Sequence, residues 1–148
     1  MADTLGFLVG DVSRLMRRAF DVRARTIGVT RTQWRMLTTL SRHEGANQGR
    51  LADLLDVEAI TLCRMVDRLS EAGLVERRAD PTDRRAWRIY LTDRARPILD
   101  ELRSLADGLI DEALDGVSAE ERDTLMTLLE RIRTNLNDER KEKVAANG

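Results

Sequence analysis

The chain has 148 residues, 42% of them hydrophobic, 34% charged and only 3% aromatic, which fits one domain with a helical, aliphatic core and is short for an elaborate enzyme. A formal net charge of −1 excludes a protein that coats nucleic acid through bulk charge, so any positive surface must be local. No apolar run approaches the roughly 18 residues of a membrane span, no charged-then-apolar leader opens the chain, and the lone Cys63 rules out an internal disulfide framework and suits the cytoplasm.

Leu5, Leu8, Val9, Val12, Leu15, Met16, Ala19 and Phe20 recur at helical spacing and predict a first amphipathic helix, ended by Gly28. Thr30 and Gln33 form a capping-box pattern, which opens a second helix on Trp34, Leu37 and Leu40 that stops near Gly45. Asn47 is a suitable cap for a short third helix through Leu51, Leu54 and Leu55. Asp56-Val57 makes the following turn, because aspartate tolerates left-handed backbone. In the fourth helix Leu62, Met65, Val66 and Leu69 form the apolar stripe. Ile60, Arg64, Asp67 and Glu71 then point the other way, with Thr61, Cys63 and Arg68 on the flanks.

Gly73 closes the fourth helix, and a strand begins at Leu74-Val75. The return strand, 86–91, alternates Trp87, Ile89 and Leu91 with Arg88 and Tyr90, the period of a half-buried strand. Between them Asp80-Pro81-Thr82-Asp83-Arg84-Arg85 is a turn-forming, charged hairpin tip. A fifth helix runs from about Asp93 to Leu114, longer and more apolar than a small domain can cover. Ser118 and Glu121 form a second capping box before a sixth helix on Leu125, Leu128, Leu129 and Ile132, and the tail from Asp138 reads as frayed.

The fold class is therefore mainly α with a small β-hairpin. The run RMVDRLSEAGLVERR and the hairpin DPTDRRAWRIYLT resemble the winged helix-turn-helix of the MarR (multiple antibiotic resistance regulator) family. LGFLVGDVSRLMRR and TRTQWRML resemble its SlyA branch. The resemblance implies a single domain over 1–148 with a winged helix-turn-helix DNA-binding lobe at 30–92, dimerisation helices in 1–29 and 93–137, and a frayed tail at 138–148. It also implies a cytoplasmic homodimer that binds a pseudo-palindromic stretch of double-stranded DNA and acts as a repressor.

Base edges are normally met by the first residues of a recognition helix. Thr61 and Arg64 suit direct readout, Ile60 a thymine methyl, and Arg68 a phosphate; Arg64 suits a bidentate guanine pair. Arg84 and Arg85 suit a narrow minor groove, with Asp83 orienting an arginine. Two positions depart from the family pattern. Glu58 stands where a hydroxyl residue often caps the fourth helix, and Cys63 stands where threonine is common, on the expected DNA side. Oxidation of Cys63 would place negative charge there and release DNA. Relatives commonly bind small aromatic acids or phenols, and Arg14, Arg17, Trp34 and Thr38 match that crevice, with the chemistry to pair a carboxylate and stack on a ring.

An enzyme is the contrasting class, and the sequence offers it little. His43 is the only histidine, no Gly-rich phosphate loop or metal cluster occurs, and no cofactor motif is present. A winged-helix protein-interaction module without DNA is the third class. Arginines at both the recognition helix and the hairpin tip count against it.

Overall fold

A computed structural model describes residues 2–147. Its elements in order are α1 (Leu5–Thr26), α2 (Arg31–Arg42), α3 (Gln48–Leu55), α4 (Ala59–Glu71), β1 (Val75–Ala79), β2 (Trp87–Leu91), α5 (Ala95–Ala113) and α6 (Ala119–Ala146). This is the mainly α architecture with a two-stranded hairpin that the hydrophobic pattern predicts. The chain divides into two compact units, Met1–Leu109 and Ile110–Gly148.

In the first unit, three helices end by the same device. After α1, the amides of Gly28 and Val29 bond the carbonyls of Arg25 and Ala24; after α4, those of Gly73 and Leu74 bond Ser70 and Leu69. After α3, Asp56 and Val57 bond Asp53 and Ala52 in the same way. Each needs one left-handed residue, which is glycine twice and Asp56 (φ 56°, ψ 48°) in the helix-turn-helix. The residue after it is apolar each time, and Val29 and Leu74 are buried in the core while Val57 packs against it.

The expected capping box is present: the Thr30 amide donates to Gln33 Oε1 at 2.9 Å and the Gln33 amide to Thr30 Oγ1 at 3.2 Å. Asn47 Oδ1 accepts the Arg50 amide and so caps α3. Glu58 precedes α4 without making a side-chain cap. The core then gathers Met36, Leu37 and Leu40 of α2, Leu51 of α3, Leu62, Val66 and Leu69 of α4, and Ile89 of β2, all fully buried. The α4 stripe lies inward as its spacing requires, with Met65 half-buried at its edge.

The hairpin pairs Val75 with Leu91 through to Ala79 with Trp87 in antiparallel register. Its outer edge is covered by the 45–47 segment. The Gly45 amide donates to Ile89 O, the Ile89 amide donates to Ala46 O, and Asn47 bridges Arg88. Gly45 has φ 85°, and a Cβ there would meet the Tyr90 hydroxyl at 3.2 Å. Glycine is thus needed for both conformation and space.

Two sequence expectations change. Only Phe20 and Ala24 of α1 are buried, and Leu5, Leu8, Val9, Val12 and Leu15 of the expected stripe are exposed. The stripe is real, but the chain's own core ends before it. In the second unit α6 continues to Ala146, past Asp138 where the tail was expected to fray. The segment is rich in Glu, Lys, Arg and Ala, all good helix formers; Gly148 lies outside the described residues. Ser118 and Glu121 cap α6 reciprocally, and Arg122 donates to Leu114 O and Val117 O in the preceding turn. Leu125, Met126, Leu128, Leu129, Ile132 and Leu136 are all exposed.

The two faces of α4 should separate in a stability measurement. Leu62→Ala empties a fully buried site and is expected to cost about 2–5 kcal/mol. Ile60→Ala, at a residue 65% exposed, should stay within about 0.5 kcal/mol. Urea unfolding at one protein concentration compares them, and a large loss for Ile60→Ala would mean the face is covered.

Candidate nucleic-acid interface

The exposed face of α4 presents Ile60, Thr61, Arg64 and Arg68, all solvent-exposed. At the hairpin tip Asp83, Arg84 and Arg85 are exposed as well. Among the described residues none makes a side-chain hydrogen bond or ion pair with Arg64, Arg68, Arg84 or Arg85. Four guanidiniums thus remain available to an outside partner. A neighbouring set of charges is fully engaged in holding the surface together.

Arg77 of β1 is the centre of that second set. Its Nε donates to Gln48 Oε1 at 2.9 Å, and its Nη2 reaches Cys63 O at 3.2 Å and Asp67 Oδ1 at 2.6 Å. One guanidinium therefore ties the hairpin to both helices of the helix-turn-helix. Asp67, the acid on the face of α4 opposite its apolar stripe, is neutralised by this pair. Sequence reasoning passed over Arg77, although a signal existed. Arg77 shares the inward pleat of Val75 and pairs with Ile89, which is fully buried. A charge at an inward position needs a partner.

Cys63 differs from its expected placement. It is half-buried, and its Sγ lies 3.8 Å from Arg77 Nη2. The thiol is turned toward the hairpin strand because the helix register at Cys63 meets β1, not the open face. Charge added by oxidation would land on the Arg77 tie.

The tip is built by two aspartates. Asp80 Oδ1 accepts the Thr82 amide at 2.9 Å and the Thr82 hydroxyl at 2.8 Å, and Asp80 Oδ2 takes Arg88 Nε at 3.0 Å. The Thr82 bonds, and then the Arg88 bond, hold the Asp80 carboxyl at about 2 against an ordinary 3.8; Asp80 likewise holds the Arg88 guanidinium above its ordinary value. Asp83 Oδ1 accepts the Arg85 amide at 3.0 Å. This bond shapes the backbone of the tip at Arg85.

Beside α4, a cleft of about 330 Å³ is walled by Arg31, Arg35, Arg64 and Arg68 with Thr61 at its edge. Arg35 donates to Leu55 O at 3.1 Å. Its guanidinium is held below the ordinary arginine value, first by burial, then by the charges of Arg31 and Arg17, with Asp21 and Asp56 opposing. Such a concentration of cations favours an anion. Neither Arg31 nor Arg35 stood out in the sequence, because nothing in α2's own pattern places it against α4.

The residues matched to an effector crevice are engaged locally. Trp34 Nε1 donates to Asp21 Oδ1 at 2.6 Å, and its ring meets Phe20 edge to face with centroids 4.8 Å apart. Thr38 Oγ1 donates to Trp34 O, Arg17 bonds Ser13 Oγ, and Arg14 pairs with Asp11. None of the four lines the cleft beside α4.

A short helix pair with a left-handed turn, an exposed second helix and a cationic hairpin define a winged helix-turn-helix, the class of DNA-binding regulator folds. A model of the MarR family matches residues 29–87, which begin at the α1 cap and end at the first residue of β2. The solved transcriptional regulator PA3341 is 33% identical over 91% of this chain and 99% of that one, with a TM-score of 0.80. MarR of E. coli in its apo form is 27% identical over 89% and 98%, with a TM-score of 0.78. A mutant of E. coli MarR complexed with operator DNA is 28% identical over 86% and 92%, with a TM-score of 0.72. The chain belongs to the MarR family.

Two measurements test this architecture. Arg77→Ala should lower stability by about 2 kcal/mol, the scale of hydrogen bonds to a charged group. Asp67→Ala, whose side chain is 54% exposed, should cost less than about 1 kcal/mol. Equal losses would show that the exposed ion pair, and not the bonds to Gln48 and Cys63, holds the hairpin. For Asp80 the folded value is depressed, so its contribution is present above pH 3.8 and disappears as pH falls through about 2. A carboxyl NMR titration should give that low midpoint, and Asp80→Asn should remove the acid transition at the tip; a midpoint at the ordinary value would contradict the bonded turn.

Proposed function

We propose that this protein is a sequence-specific DNA-binding transcriptional regulator that grips a pseudo-palindromic operator as a homodimer and represses by occluding a promoter. The observation that carries this reading is the division of the arginines. Among the described residues Arg64, Arg68, Arg84 and Arg85 are exposed without a side-chain partner on the two elements that would meet DNA, while the whole chain carries only −1. Charge placed without internal partners is charge available to phosphate or guanine. In this reading α4 enters a major groove, with Thr61 and Arg64 at base edges, Ile60 near a thymine methyl and Arg68 at a phosphate. The hairpin tip enters the neighbouring minor groove. The operator complex of E. coli MarR supports the same use of the fold.

The homodimer is supported by each unit separately. Leu5, Phe7, Leu8, Val9, Val12 and Leu15 of α1, and Leu125, Met126, Leu128, Leu129, Ile132 and Leu136 of α6, are exposed, more apolar surface than a monomer leaves in water. A two-fold pair would set two α4 helices roughly 34 Å apart. We also place the chain in the SlyA-like branch, on LGFLVGDVSRLMRR and TRTQWRML.

Fluorescence anisotropy on the chain's own upstream DNA should show binding on the order of 10³-fold tighter than to a scrambled duplex, weakening steeply with salt. Arg64→Ala should cost about 1–3 kcal/mol on the operator and little on the scrambled duplex. Arg84→Ala should weaken both alike. Leu129→Glu should yield a monomer in sedimentation and lose the operator preference. No binding to either duplex at low salt would refute the assignment and favour a protein-interaction module.

A further inference from the structure

Trp87 breaks the alternation of its strand. Ile89 and Leu91 on the same pleat are buried, yet Trp87 is 46% exposed. The hairpin has run beyond the core at that register, and the paired residue across it is Ala79, too small to cover an indole. Among the described residues none accepts a hydrogen bond from the indole N–H. The ring instead lines a cleft of about 360 Å³, shared with Asn47 and Gly49 at the start of α3, Ala59 at the start of α4, and Arg85 from the tip.

The position of that cleft decides what fills it, and the argument rests on the DNA-binding reading above. With α4 in a major groove and the tip in the adjacent minor groove, one sugar-phosphate strand separates the two grooves. That strand has to cross between α4 and the tip. The cleft lies there, with the first residue of α4 on one wall and Arg85 on another. Small residues, Gly49 and Ala59, leave room for a backbone to approach. Arg85 supplies the charge that a phosphate needs, and the indole supplies a flat apolar surface matched to a deoxyribose.

We propose that Trp87 packs its ring on the sugar of the dividing strand and positions the duplex between recognition helix and wing. The contact reads no base, so it contributes to all duplexes alike. It complements Arg64, whose contact would discriminate. The exposed indole is thereby a positioning residue for DNA.

The chain holds two tryptophans, so emission lost in Trp87→Phe is that of Trp87. Anisotropy of labelled operator and acrylamide quenching of tryptophan emission are followed in one titration with the full-length chain. The expected result is that DNA shields the Trp87 emission as anisotropy saturates. Removing a contact that covers on the order of 50 Å² of each ring in Trp87→Ala should weaken operator and scrambled duplex alike, by about tenfold for each protomer engaged, with Trp87→Phe much nearer to wild type. Saturating anisotropy with Trp87 still fully accessible to acrylamide would overturn this proposal and leave the DNA-binding reading standing. Loss confined to the operator in Trp87→Ala would overturn it too, by making the residue a base reader. Absence of any anisotropy change at low salt would remove both readings together.

Discussion

The candidate interface depends on one guanidinium. A two-stranded hairpin is marginally stable alone, and a recognition helix is useful only if the wing keeps a set distance from it. Arg77 meets both needs by joining β1 to Gln48 of α3 and to Cys63 and Asp67 of α4. Its carbonyl partner matters as much as its carboxylate. Cys63 O belongs to the backbone of α4, so the guanidinium is anchored on the helix itself and not only on a side chain. The half-buried setting strengthens those bonds relative to water. On the opposite side of the hairpin, the bonds between Ile89 and the 45–47 segment prevent β2 from peeling away. The wing is thus held at both strands.

Around that frame the acidic residues serve as internal ties. Asp21 takes the indole N–H of Trp34 and the guanidinium of Arg31. Asp67 takes Arg77, Asp80 takes Arg88, and Glu44 takes Arg96 and the Leu91 amide. Of these cations, Arg77 and Arg88 hold the hairpin and its tip. Among the described residues, Arg64 and Arg68 on α4 and Arg84 and Arg85 at the tip have no such tie, and they stand together on one recognition element and its wing. A near-neutral chain can therefore present a locally positive surface, and long-range attraction to the rest of the molecule stays low. Binding through such a surface depends on contact geometry more than on bulk charge.

Much of this was legible in the sequence because local rules decide it. Gly28, Gly73 and Asp56 mark three helix ends, and two capping boxes and the Leu62, Met65, Val66, Leu69 stripe place the helices. The exposed face of α4 follows from that stripe by rotation alone. What escaped depends on contacts between elements. Arg77 meets α3 and α4 across 29 and 14 residues of chain. Arg31 and Arg35 come beside Arg64 and Arg68 only after α2 has packed. Trp87 follows the strand period, but periodicity cannot say where the core stops beneath it. The same limit explains α1, whose stripe is amphipathic along its length and covered only near Phe20 and Ala24.

A lobe tied in this way restricts how its DNA affinity can be changed. The wing cannot swing relative to α3 and α4 without breaking the three bonds of Arg77, one to Gln48 and two to α4, and the tip turn is locked by Asp80 and Asp83. Small displacements within the lobe are therefore costly. In the proposed homodimer the softer variable is the separation of two such lobes. That separation is set by whatever covers the exposed apolar faces of α1 and α6. A regulatory ligand would act through its differential affinity for one separation over another, and it needs no contact with a base-reading residue to do so. The side chains that read DNA and those that respond to a signal are then free to lie apart, which is consistent with Trp34 being bonded to Asp21 of α1 and Thr38 to the backbone of its own helix, away from the recognition face.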